Sequence, residues 1–118
     1  MEFEIDLYET ETGACPVAKF LSKLPSKLRG KVTTYLEKLE EGGPYLGEPY
    51  TRHLRGDLFE LRCNFGSDSV RLVFFYHQHN TIVVTNAFLK KSQRTPIREL
   101  NLANQRRIDY LRRNPHET

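Results

Sequence analysis

The spacing of apolar positions changes from strand-like to helix-like within the first forty residues. Apolar and acidic residues alternate through residues 3–7, which is the period of a half-buried β-strand. A helix is predicted to open at Pro16, because proline is tolerated in a first turn, and to end at Pro25. A second helix then runs to about Glu41. Its apolar residues share one face: Leu28, Val32, Tyr35, Leu36 and Leu39.

The middle of the chain predicts three consecutive antiparallel strands. After a loop at residues 42–50, the β pattern begins at Leu58 and continues in strands over residues 70–76 and 81–88. A four-residue turn at residues 66–69 is predicted to join the first two strands. The third strand is apolar on both faces, so we expect it to be central in the sheet and covered on both sides.

A final helix is predicted after the sheet. Thr95 is a suitable N-cap because Pro96 follows it. The predicted apolar stripe of this helix consists of Ile97, Leu100, Ile108 and Leu111. The arginines of the helix are expected on a solvated face, with Arg107 at the border of the stripe. This order of elements predicts an α+β fold with an N-terminal helical hairpin, a mostly antiparallel sheet and a C-terminal helix.

Composition favours a single cytoplasmic domain of 118 residues. No apolar run approaches the ~20 residues that span a bilayer, and residues 1–4 are acidic where a signal peptide would be basic. Cys15 and Cys63 lack the spacing of a metal or redox pair, so both are expected to be free thiols.

Charge is divided unevenly along the chain. Residues 1–50 carry a net charge of −3 and residues 51–118 a net charge of +6, within a total of +3. A basic half suggests a polyanionic ligand met on one side of the molecule. The alternative is a solvated surface with a chance asymmetry of charge.

Two arginines are predicted to stand together on one face of the sheet. With a four-residue turn, Arg62 and Arg71 become diagonal neighbours, roughly 7–8 Å apart at the backbone. Only Glu60 is a nearby counter-charge, so an anion between the arginines would relieve their repulsion. The planar guanidinium can grip a phosphate through two hydrogen bonds. Alternatively, Glu60 pairs with one arginine and the other is solvated.

Further cations are expected beside this pair. Lys90 and Lys91 follow the third strand, and Arg52, His53 and Arg55 precede the first. Together they predict a cationic hollow. Cleavage of RNA by its own 2′-hydroxyl needs in-line positioning and fixed cations that stabilise the charged phosphate. His53 is the candidate general base, and the alternative is an exposed loop histidine.

The remaining candidates indicate no other chemistry. His77 and His79 are predicted to be turn residues, because no carboxylate or cysteine accompanies them. Cys63 is expected to be a buried, inert thiol. The sequence has no Gly-rich phosphate loop, no dinucleotide-binding fingerprint and no zinc-ligand spacing, so no metal and no cofactor is implied.

Three segments carry a resemblance to a known family. GEPYTRHLRGDLFELR, VRLVFFY and NAFLKKSQRTPIRELNLANQRR occur in this order over roughly residues 45–110. Together they resemble the HigB-type branch of the RelE/ParE toxin superfamily, including its phage-derived relatives. The resemblance implies one toxin domain over residues 1–118, with a helical hairpin against a curved antiparallel sheet. It also implies an mRNA interferase that cuts the message in the A site of the 70S ribosome, without a metal.

The resemblance implies partners and residue roles as well. A cognate antitoxin of the helix-turn-helix type would neutralise the toxin, and operator DNA would be met only through that complex. Roles in phosphate chemistry are implied for Arg62, Arg71, Lys90 and Lys91. Backbone contacts to RNA or the ribosome are implied for Arg52, Arg55 and Arg94. The chain departs from the family pattern in its late tyrosine, since Tyr110 lies within the final helix.

Two other functions fit the same fold. A ParE-like protein would poison DNA gyrase without cutting RNA, although cations at the sheet rim favour RNA. A non-toxic relative would only bind its antitoxin and, with it, operator DNA.

Overall fold

A computed structural model describes residues 2–91 and 93–115 of the chain. Five strands form one open sheet in the order β1-β5-β4-β3-β2, in which β1 runs parallel to β5 and every other pairing is antiparallel. Three helices accompany it, so the predicted α+β class is confirmed. The elements are β1 Glu4–Leu7, α1 Pro16–Ser22, α2 Ser26–Gly42, β2 Thr51–Arg55, β3 Leu58–Phe65, β4 Asp68–His77, β5 Thr81–Leu89 and α3 Ile97–Arg113.

Helices α1 and α2 cover one face of the sheet, as the apolar spacing predicted. Val32 and Leu39 of α2 are fully buried, and they pack against alternate residues of the strands. The buried strand residues of this face include Leu61, Cys63, Val70, Leu72 and Phe74. Burial raises the pKa of the Cys63 thiol to about 12, which agrees with the expected inert cysteine. Both cysteines are free thiols, as predicted.

Helix α3 covers part of the opposite face through Ala103, which is not part of the predicted apolar stripe. Ala103 is fully buried against the sheet, and Tyr110 and Leu111 pack beside it. The predicted apolar stripe is wrong at two positions, since Ile97 is 70% exposed and Ile108 is 56% exposed. Because alanine is small, the helix backbone can approach the strands closely at this position. Ala103 is therefore buried although its side chain is small.

Strand β2 was not predicted. Residues 43–45 of the expected loop form a short 3₁₀ turn, and Thr51–Arg55 then pairs with β3 across a turn at Gly56 and Asp57. The strand is the sheet edge and most of its side chains are exposed. Its polar composition is what an edge strand tolerates, and it therefore lacks the apolar alternation by which strands are recognised.

The turn between β3 and β4 is shorter than predicted. Phe65 pairs with Asp68, so the turn contains only Gly66 and Ser67, and Gly66 adopts the positive φ of 56° that such a turn favours. The pairing differs by two residues from the predicted one. Because side chains alternate with a period of two, every residue keeps its predicted face.

Strand β5 lies between β1 and β4, with α1 on one side and α3 on the other, so its predicted covering on both faces is confirmed. Within the described residues, no helix is long and apolar enough to cross a lipid bilayer.

Polar contacts fasten α3 to the sheet. Tyr110 donates to Asp6 at 2.9 Å, and Arg106 donates to the carbonyl oxygen of Thr85 at 2.8 Å. Arg106 is therefore half-buried rather than on the predicted solvated face. His77 was predicted in a turn but ends β4, where it is buried with its ring 5.2 Å from that of Tyr110.

The position of Ala103 generates a prediction about α3. Ala103→Glu should lower the free energy of unfolding by about 3 kcal/mol or more, because it forces a carboxylate into the apolar contact with the sheet. Ile108→Glu, in the same helix but exposed, should change it by no more than about 0.5 kcal/mol. Urea unfolding followed by circular dichroism measures both. Equal losses would contradict the observed face of α3.

Candidate functional site

Arg62 and Arg71 lie directly opposite each other on β3 and β4. They were predicted as diagonal neighbours, and the two-residue turn at Gly66 is the reason for the difference. Directly paired positions bring side chains closer than diagonal ones do. The two guanidinium groups therefore lie next to each other on one face of the sheet. Helix α3 packs on the same face, at a different position along the strands.

The side chain of Arg71 is buried on this face of the sheet. Only 4% of its surface is accessible. Its Nη1 donates to Asn64 Oδ1 at 2.9 Å and to Ser69 Oγ at 2.5 Å. Its Nε lies 3.6 Å from Glu60 Oε1. Burial lowers the pKa of Arg71 most, Glu60 raises it, and Arg62 lowers it further.

Glu60 connects this arginine to the loop after β5. Glu60 is 2% exposed, and Thr95 Oγ1 donates a hydrogen bond to Glu60 Oε2 at 2.7 Å. The predicted cap role of Thr95 is wrong, because α3 begins at Ile97 and its N-cap position is Pro96. At the other end of the same loop, the backbone N–H of Lys90 donates to the carbonyl oxygen of Ser69 at 2.9 Å. The loop is thus fastened at both ends to the strands that carry the arginines.

A hollow of about 390 Å³, here named the cationic hollow, lies over the arginine pair. It is lined by Arg52, Arg62, Arg71, Lys90 and Gln93. Burial is the largest cause lowering the pKa of Lys90, and the three arginines lower it further against an opposing effect of Glu60. The lowered pKa of Lys90 thus reflects its partial burial first and the neighbouring arginines second.

Of the cations that line the hollow, Arg71 alone forms an ion pair with a carboxylate within the described residues. Across residues 2–91 and 93–115, Arg52, Arg62 and Lys90 form no ion pair with Asp or Glu. The Nε atom of Arg62 is buried and has no hydrogen-bond partner among these residues. Of the two readings of the sequence, Glu60 does pair with one arginine, Arg71, while Arg62 is half-buried beside it rather than solvated.

The other predicted site residues lie around this hollow or away from it. Arg94 lines a second, adjoining hollow, and Lys91 is exposed and lines neither. Arg55 is directed to α3, where it donates to Asn101 at 3.2 Å. His53 also lines the second hollow, but its ring packs 5.1 Å from Phe59 on the opposite sheet face and its Nε2 lies 2.7 Å from the Gly56 carbonyl oxygen.

Gln93 and Thr95 were not recognised as site residues from the sequence. Both belong to a loop without apolar periodicity, and their place depends on how that loop folds back over Glu60. The alternation of β3 did place Glu60 on the arginine face, which was the available signal.

Metal ligation is not indicated in the described part of the chain, where no group of three or more His, Cys, Asp or Glu residues could hold an ion. The hollow is built from guanidinium, ammonium and amide groups, which bind anions.

The chain matches the model of a known protein family. The model of a family described as phage derived protein Gp49-like (DUF891) matches residues 19–107. This range includes both arginines, Glu60 and the loop after β5. No curated protein matched the chain significantly.

The burial of Arg71 generates a prediction. Arg71→Ala should lower the free energy of unfolding by about 3 kcal/mol, because it leaves the buried carboxylate of Glu60 without its cation. Arg52→Ala, which removes an exposed cation from the same hollow, should cost no more than about 0.5 kcal/mol. Urea unfolding at neutral pH measures both values. A wild-type midpoint for Arg71→Ala would show that the ion pair does not stabilise the fold.

Proposed function

Because the chain belongs to the phage-derived Gp49-like family, which is a RelE/ParE-like toxin family, we propose that it cleaves messenger RNA as the toxin of a type II toxin–antitoxin system. The observation that carries this proposal is the cationic hollow, in which four cations meet a single carboxylate that is already engaged by Arg71 and Thr95. Such a surplus of fixed positive charge suits a phosphodiester. We assign the protein to the HigB-type branch, with the whole chain acting as one toxin domain.

The reaction is an attack by the RNA on itself. The 2′-hydroxyl oxygen forms a bond to the adjacent phosphorus, and the bond from phosphorus to the 5′-oxygen breaks. The hydroxyl loses its proton and the departing 5′-oxygen gains one, so the products are a 2′,3′-cyclic phosphate and a 5′-hydroxyl. Negative charge accumulates on the phosphate oxygens in the transition state, where fixed cations stabilise it most.

Arg62 and Arg71 are the groups proposed to bind the transition-state phosphate. Arg71 is held by Glu60, Asn64 and Ser69, so it needs little reorganisation during the reaction. Arg62 has a buried Nε without a hydrogen-bond partner and no ion pair in the described residues, so an incoming anion would supply its missing partner.

The remaining cations are proposed to hold the RNA. Lys90 and Arg52 line the cationic hollow and bind phosphate there. Backbone contacts away from the cut are assigned to Lys91, Arg55 and Arg94. We assign no proton transfer to His53, because its ring packs on Phe59 across the sheet.

The proposed partners follow from the family. The chain would bind a cognate antitoxin of the helix-turn-helix type, and through it operator DNA. The message would be cut on the 70S ribosome, which presents the RNA in an ordered conformation and so supplies part of the in-line positioning.

Arg62→Ala tests the proposal better than a change at the buried Arg71. It should slow cleavage by about 100-fold or more, because one donor to the charged phosphate is lost. Primer extension on a reporter message in a reconstituted translation reaction measures the cuts. Arg98→Ala is the matched control, since its side chain is 84% exposed and lies outside the hollow. The melting temperatures of both variants should stay close to that of the wild type.

Other outcomes of the same assay would reject the proposal. An intact message with the wild-type protein, together with inhibited supercoiling by purified gyrase, would indicate a ParE-like poison. An intact message without any effect on gyrase would indicate a non-toxic relative. Equal cleavage by wild type and Arg62→Ala would reject the cationic hollow as the site of the chemistry.

A further inference from the structure

Two hollows adjoin on this face of the molecule and share three lining residues. Arg52, Lys90 and Gln93 border both the cationic hollow and a smaller one of about 200 Å³, here named the second hollow. A single ligand that occupies both hollows would therefore contact these three side chains where it passes from one hollow to the other.

The second hollow differs from the first in its chemistry. Leu54 and Leu100 add apolar surface and Glu60 adds a carboxylate, while the rest of the lining is polar or cationic: Arg52, His53, Lys90, Gln93, Arg94 and Thr95. Small-ligand sites combine apolar surface with placed polar groups. A nucleobase fits this description, because its faces stack on apolar or guanidinium groups while its edge forms hydrogen bonds.

Glu60 has one carboxylate oxygen, Oε1, whose contact with Arg71 is longer than a hydrogen bond. Its Oε2 accepts from Thr95, whereas its Oε1 is 3.6 Å from Arg71 Nε, which is beyond hydrogen-bond distance. A carboxylate can accept from the amino group of a base but not pair with a carbonyl oxygen. The second hollow therefore favours a base that carries an exocyclic amino group.

We propose that the two hollows together bind one nucleotide, with its phosphate in the cationic hollow and an amino-bearing base in the second hollow. This inference rests on the proposed function in taking RNA as the ligand. Gln93 and Leu100 are then specificity residues rather than catalytic ones. Glu60 both holds Arg71 for the phosphate and accepts a hydrogen bond from the base.

Titration of the full chain with three small probes tests the inference without requiring cleavage. Isothermal calorimetry should show cytidine 3′-monophosphate binding about tenfold more tightly than inorganic phosphate, because only the nucleotide reaches the second hollow. Uridine 3′-monophosphate, which replaces the amino group by a carbonyl, should bind about tenfold more weakly than the cytidine nucleotide.

Two variants locate the base. Leu100→Ala should weaken binding of the cytidine nucleotide about fivefold and leave that of phosphate unchanged, because Leu100 lines only the second hollow. Gln93→Ala should weaken binding of the nucleotide more than binding of phosphate, because Gln93 borders both hollows. Ile108→Ala is the control, as it removes an exposed side chain from the same helix as Leu100. Gln93 is exposed in a loop, so its variant is informative even if Leu100→Ala unfolds.

Each contrary outcome has a distinct meaning. Equal affinities for cytidine nucleotide and phosphate would reject a base site while leaving the cationic hollow and the cleavage proposal intact. Equal affinities for the two nucleotides would reject reading of the amino group by Glu60. Cleavage failing in the ribosome assay while the cytidine preference holds would reject the proposed function alone.

Discussion

The buried carboxylate of Glu60 is the group on which the arrangement of the site depends. It lies between a cation on β4 and a hydroxyl on the loop before α3, and so joins elements that are distant in sequence. A guanidinium buried next to a second arginine would be strongly disfavoured without a nearby anion. Glu60 forms an ion pair with Arg71, whereas Arg62, Arg52 and Lys90 have no ion pair within the described residues and leave a net positive surface. One interaction thus both stabilises the loop and makes the hollow basic.

The fold separates the surfaces that stabilise it from the surface that carries charge. Helices α1 and α2 cover one sheet face, while α3 contacts the other around Ala103 and Phe75. The end of that second face near Arg62 is bordered by the loop after β5, which supplies the polar side chain of Gln93. Because the apolar contacts lie elsewhere, the hollow can hold mutually repelling cations without breaking the core. This division is typical of functional sites, which depart locally from the rules that stabilise the rest.

The sequence predicted which face of the sheet each side chain occupies more reliably than it predicted which residues pair between neighbouring strands. The predicted turn after Phe65 is two residues longer than the observed one. Arg62 and Arg71 nevertheless lie on the predicted common face, because a two-residue shift in strand pairing preserves the alternation of side chains between the two faces. Burial was harder to foresee, since it depends on the loop that folds back through Thr95. Strand β2 and the contact at Ala103 were missed for one reason. Neither has large apolar residues at regular spacing, and the pattern analysis detects only those.

The contrast between Arg62 and Arg71 explains why a binding site can be costly to the free protein. Without any ligand, Arg71 already has hydrogen bonds from its Nη1 to Asn64 and Ser69 and an ion pair with Glu60, although its buried Nε forms no hydrogen bond within the described residues. Arg62 shares the same point of the sheet, but it has no ion pair and its buried Nε has no hydrogen-bond partner within the described residues. Leaving such a donor unsatisfied opposes folding. An anion in the hollow would satisfy it and screen the arginines from each other, so ligand binding and stability are linked. Under the proposed function, the RNA phosphate would complete the interactions that the arginine pair leaves unmade.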